Sequence, residues 1–165
     1  MTMANDDVLR GELLTLIDGR GAHMPFDSAV ADFPIEAINR RPPNVPYTPW
    51  HIVEHLRRTQ RDILDYVRDR AYLAPNWPED YWPERFAETS VDGWQQTVDG
   101  FVADRKAIEA ILLDGSTELS APLPQTPGHT IVREVRLLIN HNAYHIGEFA
   151  ILRQVMGTWP PGRRA

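Results

Sequence analysis

The stretch from Thr130 to Met156 constrains this chain more than any other. Thr130 can cap free backbone N–H groups at its start, Gly157 and the Pro160-Pro161 pair end it, and its apolar residues recur at helical spacing. Taking about 100° per residue from His141, His145 falls near 40°, Glu148 near −20° and Glu134 near 20°. Leu137, Leu138, Phe149, Leu152, Val155 and Met156 fall within roughly 80° of the same direction. One helix face is therefore expected to carry an apolar stripe, two histidines and two carboxylates. Burying such groups unpaired costs about 1 to 3 kcal/mol for each unsatisfied hydrogen-bonding group, and more for a charge, so something must compensate them.

Three further helices are expected to cover that stripe. Val8, Leu9, Leu13, Leu14, Leu16 and Ile17 space out a first helix that Gly19 and Gly21 stop. Residues 22 to 47 read as a connector with short helical turns near Ser28 to Asp32. Thr48-Pro49 starts a second helix, from Pro49 to about Arg68, with Val53, Leu56, Ile63, Leu64 and Val67 as its apolar positions. His55 and Thr59 lie at the edge of that stripe, so His55 can look inward. From Ala71 to Phe86, three prolines and large aromatics such as Trp77, Tyr81 and Trp82 exclude a regular helix and make a long connection. The third helix begins near Thr89 or Ser90 and ends by Gly115, burying Trp94, Val98, Phe101, Val102, Ile108, Ile111 and Leu112. A polar, proline-rich segment from 115 to 129 leads to the fourth. No alternation that could build a sheet and no internal repeat is expected.

At 165 residues the chain suits one domain, residues 1 to 165, with one all-α core. Apolar residues make up 42% and charged residues 24%, which is ordinary globular usage. A formal charge of −6 argues against nucleic-acid binding through a general basic field, and Arg57, Arg58 and Arg61 read as a solvated helix face. The absence of cysteine removes disulfides, thiolate ligands and a cysteine nucleophile from the chain's own repertoire. Nowhere do 18 apolar residues run together, and the N-terminal apolar run is short for a signal peptide, so a cytoplasmic protein off the membrane is the simplest expectation.

Two histidines at i and i+4 sit one turn apart and can share a first-row metal at roughly 2.0 to 2.1 Å per Zn–N bond. An isolated pair reads also as core histidines hydrogen-bonded to a carboxylate or to backbone, and spacing alone leaves both open. His51, Glu54 and His55 also match the inverted zinc-peptidase pattern H-x-x-E-H, with Glu54 as general base. On the second helix, however, His51 and Glu54 turn progressively from the apolar stripe, and His51 is expected to be a partly exposed helix-start residue. His129 and His23 read as surface or capping histidines. Trp77, Tyr81 and Trp82 could line the mouth of a pocket or close the bundle end.

WHIVEHLRRTQRDIL, followed much later by INHNAYHIGEFAILRQVMG, resembles the DinB-like (YfiT-like) four-helix-bundle superfamily, as do LLTLIDGRGAH and WPEDYWP. The resemblance covers nearly the whole chain. It implies a four-helix bundle of up-down-down-up connectivity, with a long loop between its second and third helices that the 71 to 86 segment resembles. It also implies three metal ligands: His55 of a His-Leu dipeptide, and His141 and His145 of HNAYH. Three protein ligands leave an open coordination position, the arrangement of catalytic rather than structural sites.

By that resemblance the chain is expected to be a metal-dependent enzyme, a thiol-dependent S-transferase or isomerase acting on a small-molecule substrate. A metal lowers the pKa of a coordinated thiol, and here the low-molecular-weight thiol would be external. Water activation for hydrolysis is a second version, and a non-catalytic metal or small-ligand binding protein is the reading from another class. Glu148 is the candidate catalytic residue, as a partner orienting a ligand histidine or as a proton acceptor with a raised pKa; Glu134 lies two turns away. Three imidazoles suit zinc, nickel, iron or copper. Bundles of this family often pair, so a homodimer is expected.

Overall fold

The computed structural model describes residues 3–162, with side chains from residue 6 onward. Five helices follow one another: α1 (Met3–Ile17), the short α2 (Phe26–Val30), α3 (Pro49–Arg68), α4 (Val91–Leu113) and α5 (Ile131–Met156). A single 3-10 turn, Ile35–Ala37, lies between α2 and α3.

Local chemistry places the ends of these helices where the sequence puts them. At α3 the Thr48 hydroxyl accepts from the His51 backbone N–H at 3.2 Å, and the His51 ring returns the bond by accepting from the Thr48 N–H at 3.4 Å. Histidine thus takes the place that glutamate fills in the usual capping box, with Pro49 at the first helical position. Ser90 caps α4 through the Gly93 N–H, and Thr130 caps α5 through the Arg133 N–H. Gly157, at φ 63°, supplies the left-handed residue that ends α5. Gly19 does the same after α1 at φ 73°, where a Cβ would stand 2.8 Å from Pro25 Cα.

A two-stranded antiparallel hairpin, β1 (Pro122–Leu123) and β2 (Thr126–Thr130), departs from the sequence expectation of no strand. It is short, its register shifts between Pro122 and Leu123, and β2 lacks alternating burial, so it leaves no period-two signal.

The four long helices cover one another pairwise: α3 packs on α4 and α5, and α1 packs on the same two. Their apolar faces form two clusters. One joins Leu13, Ile17, Ile63, Leu64, Ile108, Leu112, Val135 and Leu138; the other joins Phe26, Phe33, Ile52, Val53, Leu56, Trp94, Phe101, Ile146 and Phe149. Between the two clusters, each of the three longest helices buries polar residues: Thr59 and Gln60 on α3, Asp104 and Arg105 on α4, and Asn142 on α5. The stripe expected on α5 is partly misplaced. Leu138, Phe149 and Leu152 are buried, but Leu137 and Val155 are exposed, because the covered face of α5 is turned toward Val135, Ile139, Asn142 and Ile146 rather than centred on His141.

Candidate metal centre

α3 and α5 pack together, and at their contact His55, His141 and His145 converge, with ligand atoms that all lie within 4.8 Å of one another. Nε2 of His55 stands 3.0 Å from Nε2 of His141 and 3.2 Å from Nε2 of His145. His55 is 1% exposed; the two α5 histidines are half-buried.

The opposite nitrogen of each ring has an acceptor, and this fixes the tautomers. His55 Nδ1 donates to the Tyr81 carbonyl at 2.9 Å, and His145 Nδ1 donates to Glu148 Oε2 at 2.7 Å. For His141 the acceptor is set by a buried relay. The Phe101 carbonyl can only accept, so the Gln60 amide nitrogen faces it at 2.6 Å; Gln60 Oε1 then accepts from the Asn142 amide nitrogen, and Asn142 Oδ1 is left facing His141 Nδ1 at 3.4 Å. All three Nδ1 atoms therefore carry the proton, and three bare Nε2 lone pairs point at one another. Burial, opposed for His55 by the bond to the Tyr81 carbonyl and reinforced for His141 by the neighbouring imidazoles, pushes both rings down to about 4, so both are neutral at physiological pH.

Three converging lone pairs repel unless a cation lies among them. At a bond length of about 2.0 to 2.1 Å, octahedral or tetrahedral angles separate neighbouring ligand nitrogens by roughly 2.9 to 3.4 Å, and both separations from His55 Nε2 fall in that range. The residues present thus fit a divalent first-row ion. Among the described residues this trio is the group that could hold one.

The surroundings are aromatic and hydrogen-bonded. Trp82 lies flat on the His55 imidazole, ring centroids 3.8 Å apart and planes 8° apart, and turns its edge to His145 at 6.0 Å. Glu148 Oε1 accepts from the Tyr47 hydroxyl, so both carboxylate oxygens are engaged. Burial pushes Glu148 up, but the bonds from His145 and Tyr47 outweigh it and hold the carboxyl below its ordinary value. This corrects the raised pKa expected of Glu148: its half-buried site is hydrogen-bonded rather than apolar. Tyr47 is raised, first by burial and then by the bond to Glu148, and stays a donor.

His51, Glu54 and the inverted motif fare differently. His51 is 2% exposed rather than partly exposed, because the chain preceding α4 folds over it and its Nε2 donates to the Ala87 carbonyl at 2.8 Å. Its other nitrogen serves the cap. Glu54 is also buried, tied to Arg57 at 2.8 and 2.7 Å, to Arg58 at 2.9 Å and to Thr97 at 3.0 Å. These three residues do not assemble a peptidase site. Arg57 and Arg58 are thereby partners of a buried carboxylate rather than a freely solvated face.

Glu134 is buried in a separate group with the exposed Arg133 and the half-buried His129, whose Nδ1 lies 3.2 Å from Glu134 Oε1 and 2.8 Å from the Tyr66 hydroxyl. His23 meets the neighbouring Met24 carbonyl. Trp77 is exposed, whereas Tyr81 and Trp82 sit against the centre. Sequence reading passed over Tyr47, Gln60 and Asn142. Gln60 and Asn142 were detectable as amides within apolar stripes; Tyr47 lies in the connector, without any spacing signal.

The helical fold and the three-histidine cluster define a class, helical proteins with a candidate metal centre between two long helices. A family model described as the DinB superfamily matches residues 20–149, and the chain belongs to that superfamily. No curated protein and no solved structure matches the chain.

Proposed function

We propose that this chain is a metal-dependent enzyme that holds one divalent ion on His55, His141 and His145 and uses its open coordination position on a small-molecule substrate. The observation that carries the reading is the set of three bare Nε2 atoms, each made bare by an acceptor on the other ring nitrogen. When bound, the ion would lower the pKa of a thiol or water on the fourth position, making a nucleophile at neutral pH. The chain has no cysteine, so the thiol of an S-transferase or isomerase comes from a low-molecular-weight cofactor. Glu148 acts as the positioning residue that fixes His145, itself steadied by Tyr47, and Trp82 keeps water from one face of His55.

Elemental analysis of protein purified without an affinity tag tests the site. One zinc, nickel, iron or copper per chain is expected for the wild type, with most of it lost in His145→Ala, since two imidazoles hold a divalent ion poorly. Equal metal content in both proteins would sink the assignment. Assay of the loaded protein with candidate external thiols then separates an enzyme from a metal-binding protein without turnover.

The same reading takes residues 1 to 165 as one domain of up-down-down-up connectivity. The connection from Asp69 to Ser90 supports it, because about 3.3 Å per extended residue lets it run back along the length of α3 before α4 begins. No helix among the described residues is long and apolar enough to cross a membrane, and the charge of −6 disfavours nucleic acid; a cytoplasmic site of action fits both. Leu137, Tyr144 and Ile151 are exposed at seven-residue intervals on α5, a row suited to pairing with a second copy. Light scattering showing only monomer at high concentration would contradict a homodimer.

A further inference from the structure

Along α3, His51, His55, Arg58 and Asp62 recur at intervals of three and four residues and so form one stripe. Each of them reaches the connection between α3 and α4. His51 and His55 donate to the carbonyls of Ala87 and Tyr81. Arg58 Nη1 donates to the carbonyls of Asp80 at 3.2 Å and Trp82 at 3.0 Å, one on either side of Tyr81. Asp62 Oδ2 accepts the Tyr81 hydroxyl at 2.7 Å, and its Oδ1 accepts the Tyr72 hydroxyl. Burial and the bond to Asp62 push Tyr81 up to about 12, so its hydroxyl remains a donor.

The connection has no regular helix or strand to hold its own backbone. The direction of the Tyr81 carbonyl therefore depends on what grips its neighbours and its side chain. Arg58 is itself anchored, its Nε on Glu54 Oε1 at 2.9 Å, and Glu54 is locked in turn by Arg57 and Thr97. Released from the Tyr81 carbonyl, the His55 imidazole would be free to carry its proton on Nε2, the nitrogen that faces the other two histidines. Trp82 would leave its face at the same time.

We propose that Arg58 and Asp62 are positioning residues for the three-histidine centre: by gripping residues 80 to 82 they aim the Tyr81 carbonyl at His55 Nδ1 and keep His55 Nε2 bare for a metal ion. The effect on metal binding rests on the proposed function above, whereas the tautomer of His55 is set with or without an ion.

The experiment pairs two measurements on full-length protein: 15N-histidine NMR of the metal-free form at neutral pH, and zinc titration against a chromophoric chelator. Wild type, Arg58→Ala and Tyr81→Phe are compared with Arg61→Ala, whose guanidinium pairs instead with Asp65 and Asp104. Wild type is expected to show His55 with a protonated Nδ1 and a bare Nε2. Arg58→Ala should lose that single signature and bind zinc about tenfold more weakly. Tyr81→Phe, which removes only the hydroxyl that Asp62 holds, should move both readouts in the same direction by a smaller amount, and Arg61→Ala should match wild type. An unchanged tautomer and unchanged zinc affinity in both loop variants overturns the inference. Tautomer shifts without zinc binding by wild type would uphold the positioning role and remove the metal reading. Should Arg58→Ala fail to fold, Tyr81→Phe decides the matter alone.

Discussion

α5 buries two sets of polar nitrogens, and they are finished in opposite ways. Near its C-terminus Arg153 is 0% exposed, yet its guanidinium is consumed by backbone: Nη1 donates to Ala29 and Ala31, Nη2 to Thr158 and Asp32, and the Trp159 ring lies 3.9 Å from its carbon. Two to three turns earlier, His145 and His141 direct Nε2 at His55 Nε2, where nothing else among the described residues accepts or donates a proton. A closed set of this kind ties α2 and the end of α5 together and contributes to stability. An open set costs stability and is retained for what can be placed in it.

The largest test of that contrast is Arg153→Met. It keeps an apolar stem but strips donors from four carbonyls, each worth about 1 to 3 kcal/mol when left unsatisfied in the interior. Urea unfolding of the metal-free protein should therefore show a loss of about 3 kcal/mol or more, with zinc stoichiometry unchanged in the folded fraction. A neutral substitution would mean that the guanidinium is as dispensable as the open set.

His141→Leu should behave in the opposite manner. Leucine is of similar volume and removes one of three repelling lone pairs from a site whose burial already holds His55 and His141 down to about 4. The metal-free variant is expected to be as stable as wild type or more stable, by up to about 1 kcal/mol. Zinc should no longer raise its melting temperature, whereas it should raise that of wild type by mass action. A drop in the metal-free melting temperature comparable to that of Arg153→Met would show that the histidines are structural on their own account.

The same contrast separates what was legible in the sequence from what was not. Helix ends were legible, because Thr48-Pro49, Ser90, Thr130 and Gly157 act through bonds to residues within one turn. His141 and His145 were legible as a pair for the same reason of helical spacing. His55, at the edge of its stripe, needed the family resemblance to join them. Arg153 gave no signal, since its burial follows from the chain reversal at Gly157 and from α2 carbonyls more than 120 residues away in sequence. The inward place of His51 was misjudged on similar grounds: a helical wheel shows where apolar residues cluster, but not that an irregular connection lays Ala87 across the other side of α3.

His51→Ala is expected to have the smallest effect on zinc binding and is the sharpest check on the choice of ligands. His51 closes the capping box with Thr48 and donates to Ala87, so its removal sacrifices one cap bond and one loop tie, at a cost of about 1 to 2 kcal/mol. Neither of its ring nitrogens faces the centre, however, and Glu54 beside it is spent on Arg57, Arg58 and Thr97. The variant should thus melt a few degrees lower than wild type yet carry the same zinc per chain. Zinc lost from His51→Ala but kept by His145→Ala, under identical loading, would move the ion to the H-x-x-E-H segment of α3 and make Glu54 its general base. Zinc kept by His51→Ala and lost by His145→Ala leaves His51 as a helix cap that happens to complete a metal-binding pattern in sequence, and it assigns His55 to the centre through Nε2, because Nδ1 is already committed to Tyr81.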